Sequence, residues 1–128
     1  MIKKNNTSFI SDLINTFPEI KEEVLDEDWL NLISLQIGCF RRFTQKAIDN
    51  NNISLVIKCF RFADDNIDIA EFNIENSLAI SWLGKLNFDN NKNAYQLLSP
   101  KLKELYVKLQ KHYNEPSGNE KLNKFLQF

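Results

Sequence analysis

The acidic string Asp64-Asp65-Asn66-Ile67-Asp68 comes closer to a reactive motif than any other part of the chain. It has the Asp-Asp-x-x-Asp form in which clustered carboxylates hold magnesium beside a diphosphate, and hard cations prefer such oxygen ligands. Enzymes that use this form need a deep helical cavity and a second acidic motif. A chain of 128 residues is too short to enclose that cavity, and it contains no second copy. We therefore expect a solvated turn between helices, with capping aspartates, and no metal site.

Nucleophiles and metal ligands are few in this sequence. His112 is the single histidine, so zinc sites with two histidines and histidine dyads are excluded. A Cys-His pair would require His112 to approach Cys39 or Cys59, and both cysteines lie in apolar, helical stretches that predict burial. The three glycines stand apart, so there is no glycine-rich phosphate loop. We expect no catalytic residue, no metal and no cofactor, and hence a protein that is not an enzyme.

The overall charge excludes two classes of partner. Sixteen basic and seventeen acidic side chains leave a formal net charge of -1, which provides no field that attracts nucleic acid or an anionic membrane. No apolar run approaches the roughly 20 residues of a membrane span. Two buried cysteines suit a reducing compartment better than a disulfide framework, so we expect a cytoplasmic protein.

Two groups of carboxylates are candidate sites for binding a protein partner. The first, which we call the acidic segment, belongs to a stretch of six acids in ten residues before Trp29, and it consists of Glu22, Glu23, Asp26, Glu27 and Asp28. The second, the acidic edge, consists of Asp64, Asp65, Asp68, Glu71 and Glu75. The alternative for the acidic segment is that its acids only cap and solvate the starts of helices.

A complementary basic face is expected on the last long helix. It consists of Lys101, Lys103, Lys108 and Lys111. Most such faces are only solvated. Acidic and basic faces on one chain could also serve a homodimer, which we keep as an alternative to a different protein partner.

Helical periodicity runs through almost every segment, and no stretch of convincing length has the alternation of a half-buried strand. The sequence predicts an all-α fold in which antiparallel helical hairpins pack as a five- to six-helix bundle or a short solenoid. We expect one domain over residues 1–128. Residues 119–128 form an amphipathic tail that either docks on the body as a further helix or binds a partner.

Three local features define the predicted central helices. Asp26 or Asp28 caps the longest helix, whose apolar stripe includes Trp29 and Leu32 and which runs to about Asp49. A polar hinge of three asparagines then leads into a second helix that ends before the acidic string. One further helix carries an apolar side whose members are Ile69, Phe72, Leu78, Ala79, Trp82, Leu83 and Leu86.

Hydrophobic landmarks between Trp29 and about Tyr113 carry a resemblance to a known family. After the early tryptophan and an Asn-Asn turn come Asn76-Ser77-Leu78-Ala79-Ile80-Ser81-Trp82-Leu83-Gly84-Lys85-Leu86, then Leu97-Leu98-Ser99-Pro100 and Leu102-Lys103-Glu104-Leu105-Tyr106. With these landmarks the chain resembles an uncharacterised family of small, helical bacterial proteins, a domain of unknown function. The resemblance implies an all-helical fold and, more loosely, similarity to immunity proteins of bacterial toxin systems. It transfers no functional residue.

Together these observations favour a non-catalytic protein-interaction module. Its specific form would be an immunity-like protein that neutralises a bacterial toxin, with either the acidic segment or the acidic edge as the interface. The alternative is a small helical regulator or a protein that binds a ligand of unknown identity.

Overall fold

The computed structural model describes residues 2–114, with side chains described as far as residue 111. Seven α-helices form in this part of the chain, and its only β-structure is one isolated bridge, so the prediction of an all-α fold is confirmed. The helices are α1 (Asn6–Thr16), α2 (Lys21–Val24), α3 (Ile33–Asp49), α4 (Ile53–Ile67), α5 (Phe72–Ser77), α6 (Lys92–Tyr95) and α7 (Pro100–Asn114). The predicted tail helix at 119–128 lies outside the described residues.

Helices α3 and α4 form the predicted antiparallel hairpin at the centre of the molecule. The chain reverses at Asn51, whose φ of 54° lies in the left-handed region that asparagine tolerates better than most residues. Asn52 then caps α4, because its side-chain oxygen accepts a hydrogen bond from the backbone N–H of Leu55. The polar hinge therefore both turns the chain and starts the next helix.

The predicted start of α3 at Asp26 or Asp28 is wrong. The helix begins at Ile33, and neither its N-cap residue Leu32 nor any other side chain caps it. Residues 26–32 instead form consecutive turns, because the Asp26 carboxylate accepts the backbone N–H of Asp28 and so stabilises a turn before the helix.

The predicted turn at the acidic string is also wrong, since α4 continues to Ile67. Asn66 is buried in the last turn of the helix, where its amide donates to the carbonyl of Phe62 at 2.8 Å and its oxygen accepts from Lys4 Nζ at 2.6 Å. These two hydrogen bonds satisfy the buried amide. Burial of Ile67 adds an apolar contact that favours continuation of the helix beyond Asp64 and Asp65.

A short tie joins the N-terminal segment to the α4–α5 connection. Lys4 and Ala70 form a parallel bridge, in which the backbone N–H of Lys4 donates to Ile69 and its carbonyl accepts from Glu71. The ammonium of Lys4 also forms an ion pair with Asp12 on α1. The backbone and side chain of Lys4 thus connect α1 to the residues between α4 and α5.

The single helix predicted over residues 69–86 is interrupted. After α5 the chain makes a π-helical turn over Leu78–Trp82 and a 3-10 turn over Leu83–Lys85. Trp82 is fully buried as predicted, but Phe72, which was predicted on the apolar side, is 71% exposed. A π turn closes i→i+5 hydrogen bonds, so the residues before it lose the 3.6-residue register with those after it.

The core is a single cluster rich in aromatic rings. Phe17 contacts Phe40 and Phe62 at centroid distances of 5.4 and 5.6 Å, and the rings of Phe60 and Trp82 are nearly perpendicular with centroids 6.0 Å apart. Cys39 and Cys59 are both free thiols, and both are buried as predicted.

Candidate protein-binding surface

The acidic segment lies on the outside of the molecule, from α2 into the turns that precede α3. All five of its members are exposed, and they are Glu22, Glu23, Asp26, Glu27 and Asp28. They fall within seven consecutive positions, of which Val24 and Leu25 are the two that carry no charge. The structure therefore places the whole of the first predicted group at the surface of one connection.

Internal hydrogen bonds hold this connection in place. The indole N–H of Trp29 donates to the carbonyl of Glu23 at 2.6 Å, across the turn. The side-chain amide of Gln36, buried in the first turn of α3, donates to the carbonyl of Val24 at 3.1 Å. Two side chains from the far side of the turn thus fix the end of α2, so the acidic segment is presented on an ordered scaffold.

Three leucines are exposed directly after the acidic segment, and we call them the leucine row. Leu30 is 46% exposed, and Leu32 and Leu35 are each 51% exposed. Between the first two lies Asn31, whose φ of 68° turns the backbone through the left-handed region. Sequence reasoning missed the leucine row as a site, because Leu32 was assigned to a buried helical stripe. The available signal was that Leu30 and Leu35 fall off that stripe.

Among the side chains of residues 2–111, most charges of the acidic segment are not neutralised. Glu23 pairs with Arg42 of α3, and this hydrogen bond is the main cause that raises the pKa of the Arg42 guanidinium. No ion pair in the same range joins Glu22, Glu27 or Asp28 to a cation. The patch therefore keeps a negative field directed at solvent.

The acidic edge differs, because basic side chains compensate it. Lys101 on α7 pairs with both Asp64 and Asp68, at 3.2 and 2.6 Å. Partial burial lowers the pKa of Lys101, but its hydrogen bonds to these two carboxylates outweigh that effect and raise it. Lys3 also donates to the backbone carbonyl of Asp68.

The remaining members of the acidic edge, Asp65, Glu71 and Glu75, are exposed. Asp65 lies on α4 and Glu75 on α5, and Glu71 is the N-cap residue of α5, so none of them shares an element with the acidic segment. Among the described side chains, no hydrogen bond or ion pair connects the edge to the segment. The structure therefore places the two predicted groups on different elements of the fold.

The predicted basic face on α7 is largely engaged. Besides the pairs of Lys101, Lys108 pairs with Glu104 one turn earlier, and Lys103 donates to the side-chain oxygen of Gln96. Lys111 is exposed. Two of the four lysines of this face, Lys101 and Lys108, are therefore paired with carboxylates of the same chain.

An open groove of about 700 Å³ lies between the 3-10 turn after Trp82 and helix α7. Phe88, Tyr95 and Tyr106 line it and contact one another at centroid distances of 5.4 to 5.8 Å. The hydroxyl of Tyr106 donates to the carbonyl of Leu86, and Gln110 donates to that of Gly84. These two polar side chains of the lining thus already have partners.

Reactive groups do not converge in the described part of the chain. Among those residues, no three His, Cys, Asp or Glu side chains are grouped so that they could hold a metal ion. Burial raises the pKa of both cysteine thiols to about 11, so they are protonated and weakly nucleophilic near neutral pH. The side chain of His112 lies outside the described set.

Comparison with known proteins identifies a family without a known role. A family model described as Domain of unknown function (DUF7674) matches residues 10–114. No curated protein and no solved structure matches the chain. Within residues 2–114, no helix combines the length and apolar character needed to cross a membrane.

Proposed function

The chain belongs to the DUF7674 family, a domain of unknown function, and from this premise we propose that it is a non-catalytic protein-interaction module. The module binds a basic surface of another protein through the acidic segment. The observation that carries the proposal is an ordered, exposed connection whose carboxylates are mostly left without cations in the described chain.

Electrostatic complementarity explains why such a patch serves recognition. A concentrated negative surface accelerates encounter with a positive one and disfavours partners of like charge. The carbonyl hydrogen bonds from Trp29 and Gln36 hold the patch in shape before binding, which reduces the entropy lost in the complex. The acidic edge ranks second, because Lys101 neutralises part of its charge.

The more specific form of the proposal is that the partner is a bacterial toxin, which the module neutralises by covering a basic active surface. The resemblance to immunity proteins noted from the sequence supports this form. The two free, buried thiols support a reducing, cytoplasmic compartment for the encounter.

The test is capture of the partner from the source organism by two matched variants. Glu22→Lys with Glu27→Lys reverses two charges of the acidic segment, at positions with no ion pair in the described structure. Glu71→Lys with Glu75→Lys makes the same change of net charge on the acidic edge. We expect wild type and the edge variant to capture one protein that the segment variant does not capture.

The outcome is then measured on the isolated partner. We expect the segment variant to associate more slowly at low salt, with the difference shrinking as salt rises. If the edge variant alone loses the partner, the interface lies on the edge; if both variants associate like wild type, the electrostatic proposal is wrong. Co-expression tests the toxin form: the partner alone should arrest growth, and the module should restore it.

A second candidate function is binding of a small molecule in the groove beside α7. Its volume of about 700 Å³ is within the range of ligand sites, and its three aromatic rings offer apolar contact. It ranks second because Tyr106 and Gln110 already donate to backbone carbonyls. Ligand density between Phe88 and Tyr95 in crystals of protein purified from its source would favour it.

A further inference from the structure

The leucine row adds an apolar component to the acidic segment. Leu30, Leu32 and Leu35 are each about half exposed and lie within six positions of one another, directly after the last acid of the segment. Single exposed leucines are common on protein surfaces. Three half-exposed leucines within six positions, next to a group of carboxylates, match the composition of an interface, in which apolar contacts lie next to a polar rim.

We propose that the leucine row is the apolar anchor of the interface, and that the partner presents an amphipathic basic segment: apolar side chains flanked by Lys or Arg. This inference rests on the proposed function and specifies its partner. The leucines contact the apolar side chains, and the carboxylates of the acidic segment contact the flanking cations.

The leucine row is held in position before any partner arrives. Leu35 lies in the first turn of α3, and Leu32 is its N-cap residue, with backbone hydrogen bonds linking Trp29 to Leu32 and Leu32 to Leu35. The left-handed backbone at Asn31 sets the direction of Leu30 relative to Leu32. The backbone therefore loses little conformational entropy on binding, so more of the free energy of the apolar contact appears in the affinity.

Charge decides between the occupants that an apolar row could accept. A second copy of this chain, paired through the same surface, would bring two acidic segments together and place like charges side by side. Pairing with the α7 face would meet lysines already engaged with Asp64, Asp68 and Glu104. A basic partner meets neither obstacle.

The two parts of the surface are expected to control different rates. Long-range attraction by the carboxylates raises the association rate and depends on salt. Burial of leucine side chains acts only at contact, so it slows dissociation and depends little on salt. This separation makes the contribution of the leucine row measurable apart from that of the acids.

The test uses the full chain and two synthetic peptides of about 18 residues, or five helical turns. Both contain only leucine and lysine in equal composition; one places all leucines on a single helical face, and the other spreads them around the helix. Leu32→Gln with Leu35→Gln removes two anchors. Ile53→Gln with Val107→Gln is the matched control, because these residues are 38% and 55% exposed on α4 and α7.

We expect wild type and the control variant to bind the one-faced peptide more tightly than the scrambled one, by calorimetry. The leucine variant should bind it about 10-fold more weakly or worse, and surface plasmon resonance should show that most of this loss is faster dissociation. Amide NMR shifts on wild type should concentrate in residues 22–35, a readout that needs no variant and therefore survives a folding failure.

Three results would overturn the inference. Equal affinity of the leucine and control variants would remove the leucine row from the interface, while weaker binding by the Glu22→Lys, Glu27→Lys variant would leave the proposed function standing. If that charge variant also binds like wild type, both the leucine row and the acidic segment are excluded from the interface, and the proposed function is wrong as well. Leucine-dependent self-association of wild type in sedimentation would assign the row to a second copy instead.

Discussion

The indole of Trp82 lies parallel to the ring of Phe40, with centroids 5.3 Å apart and an interplanar angle of 7°. The same indole donates its N–H to the hydroxyl of Thr44 at 3.0 Å. Both partners belong to α3, one turn apart, and Trp82 ends the π-helical turn. That irregular turn therefore delivers one large side chain into a place where its face and its polar group are both satisfied.

Among the substitutions proposed here, replacement of Trp82 should lower the free energy of unfolding most. Trp82→Ala deletes a fully buried ring and leaves the Thr44 hydroxyl without its donor, so we expect the free energy of unfolding to fall by about 3 to 5 kcal/mol. Trp82→Phe keeps most of the packing and should lose less. Urea unfolding followed by circular dichroism measures both. A loss below about 1 kcal/mol for Trp82→Ala would contradict its place in the core.

The backbone at Asn31 predicts a contrast between two substitutions. Its φ of 68° suits glycine and is unfavourable for a β-branched residue. We expect Asn31→Val to lower the free energy of unfolding by about 1 to 2 kcal/mol, and Asn31→Gly to change it by less than about 0.5 kcal/mol. Chemical denaturation of the two variants beside wild type provides the measurement. Equal stability of the two would show that the turn relaxes to a negative φ.

The two thiols predict a loss of stability in alkali. Burial is the main cause that raises the pKa of Cys39 and Cys59 from 9.0 to about 11, so the folded protein holds these protons more tightly than the unfolded chain. Their contribution is complete below pH 9 and is lost as pH rises from about 9 towards 11. Urea unfolding across this range should show the decline.

A matched variant separates the thiols from other groups in the same range. Burial also raises the pKa of Tyr106, which contributes a decline of the same sign. We expect Cys39→Ala with Cys59→Ala to flatten the alkaline decline relative to wild type, although cavities lower its stability at every pH. An unchanged slope would mean that the thiols are not the cause.

Lys101 should contribute little stability despite its two partners. The side chain is 44% exposed, and exposed ion pairs are worth little because water and salt screen them. We expect Lys101→Met to lower the free energy of unfolding by less than about 1 kcal/mol, with the difference shrinking at high salt. A larger, salt-independent loss would show that α7 depends on this pair for docking.

The spacing of apolar residues correctly predicted which side chains are buried where a helix is regular. Trp82 was placed in the core from its spacing with Leu83 and Leu86, and both neighbours are buried as well. Phe72 was placed on the same side and is exposed, because the π-helical turn between Phe72 and Trp82 breaks the period that the prediction assumed. Periodicity carries no information about a change of helix type.

The candidate surface was predictable only for its charges. Acidic residues can be read directly from a sequence, and an unpaired carboxylate stays at the surface because its burial is costly. The exposure of Glu22 and Glu27 therefore follows from residue type. The exposure of Leu32 depends on where α3 begins. The local turn at Asp26 contributes to this, and two hydrogen bonds from Trp29 and Gln36 to the backbone of α2 hold the same connection. The bond from Gln36 spans 12 positions and leaves no local pattern in the sequence.

The tie between Lys4 and Ala70 has a consequence for the order in which the chain assembles. The ammonium of Lys4 reaches Asn66, 62 positions away, so the tie closes a long loop and requires α4 and its exit to be present first. Contacts that form after the rate-limiting step influence the rate of unfolding more than the rate of folding. We infer that Lys4, which is translated before α4, takes its final place only after α4 and the residues that follow it have been synthesised.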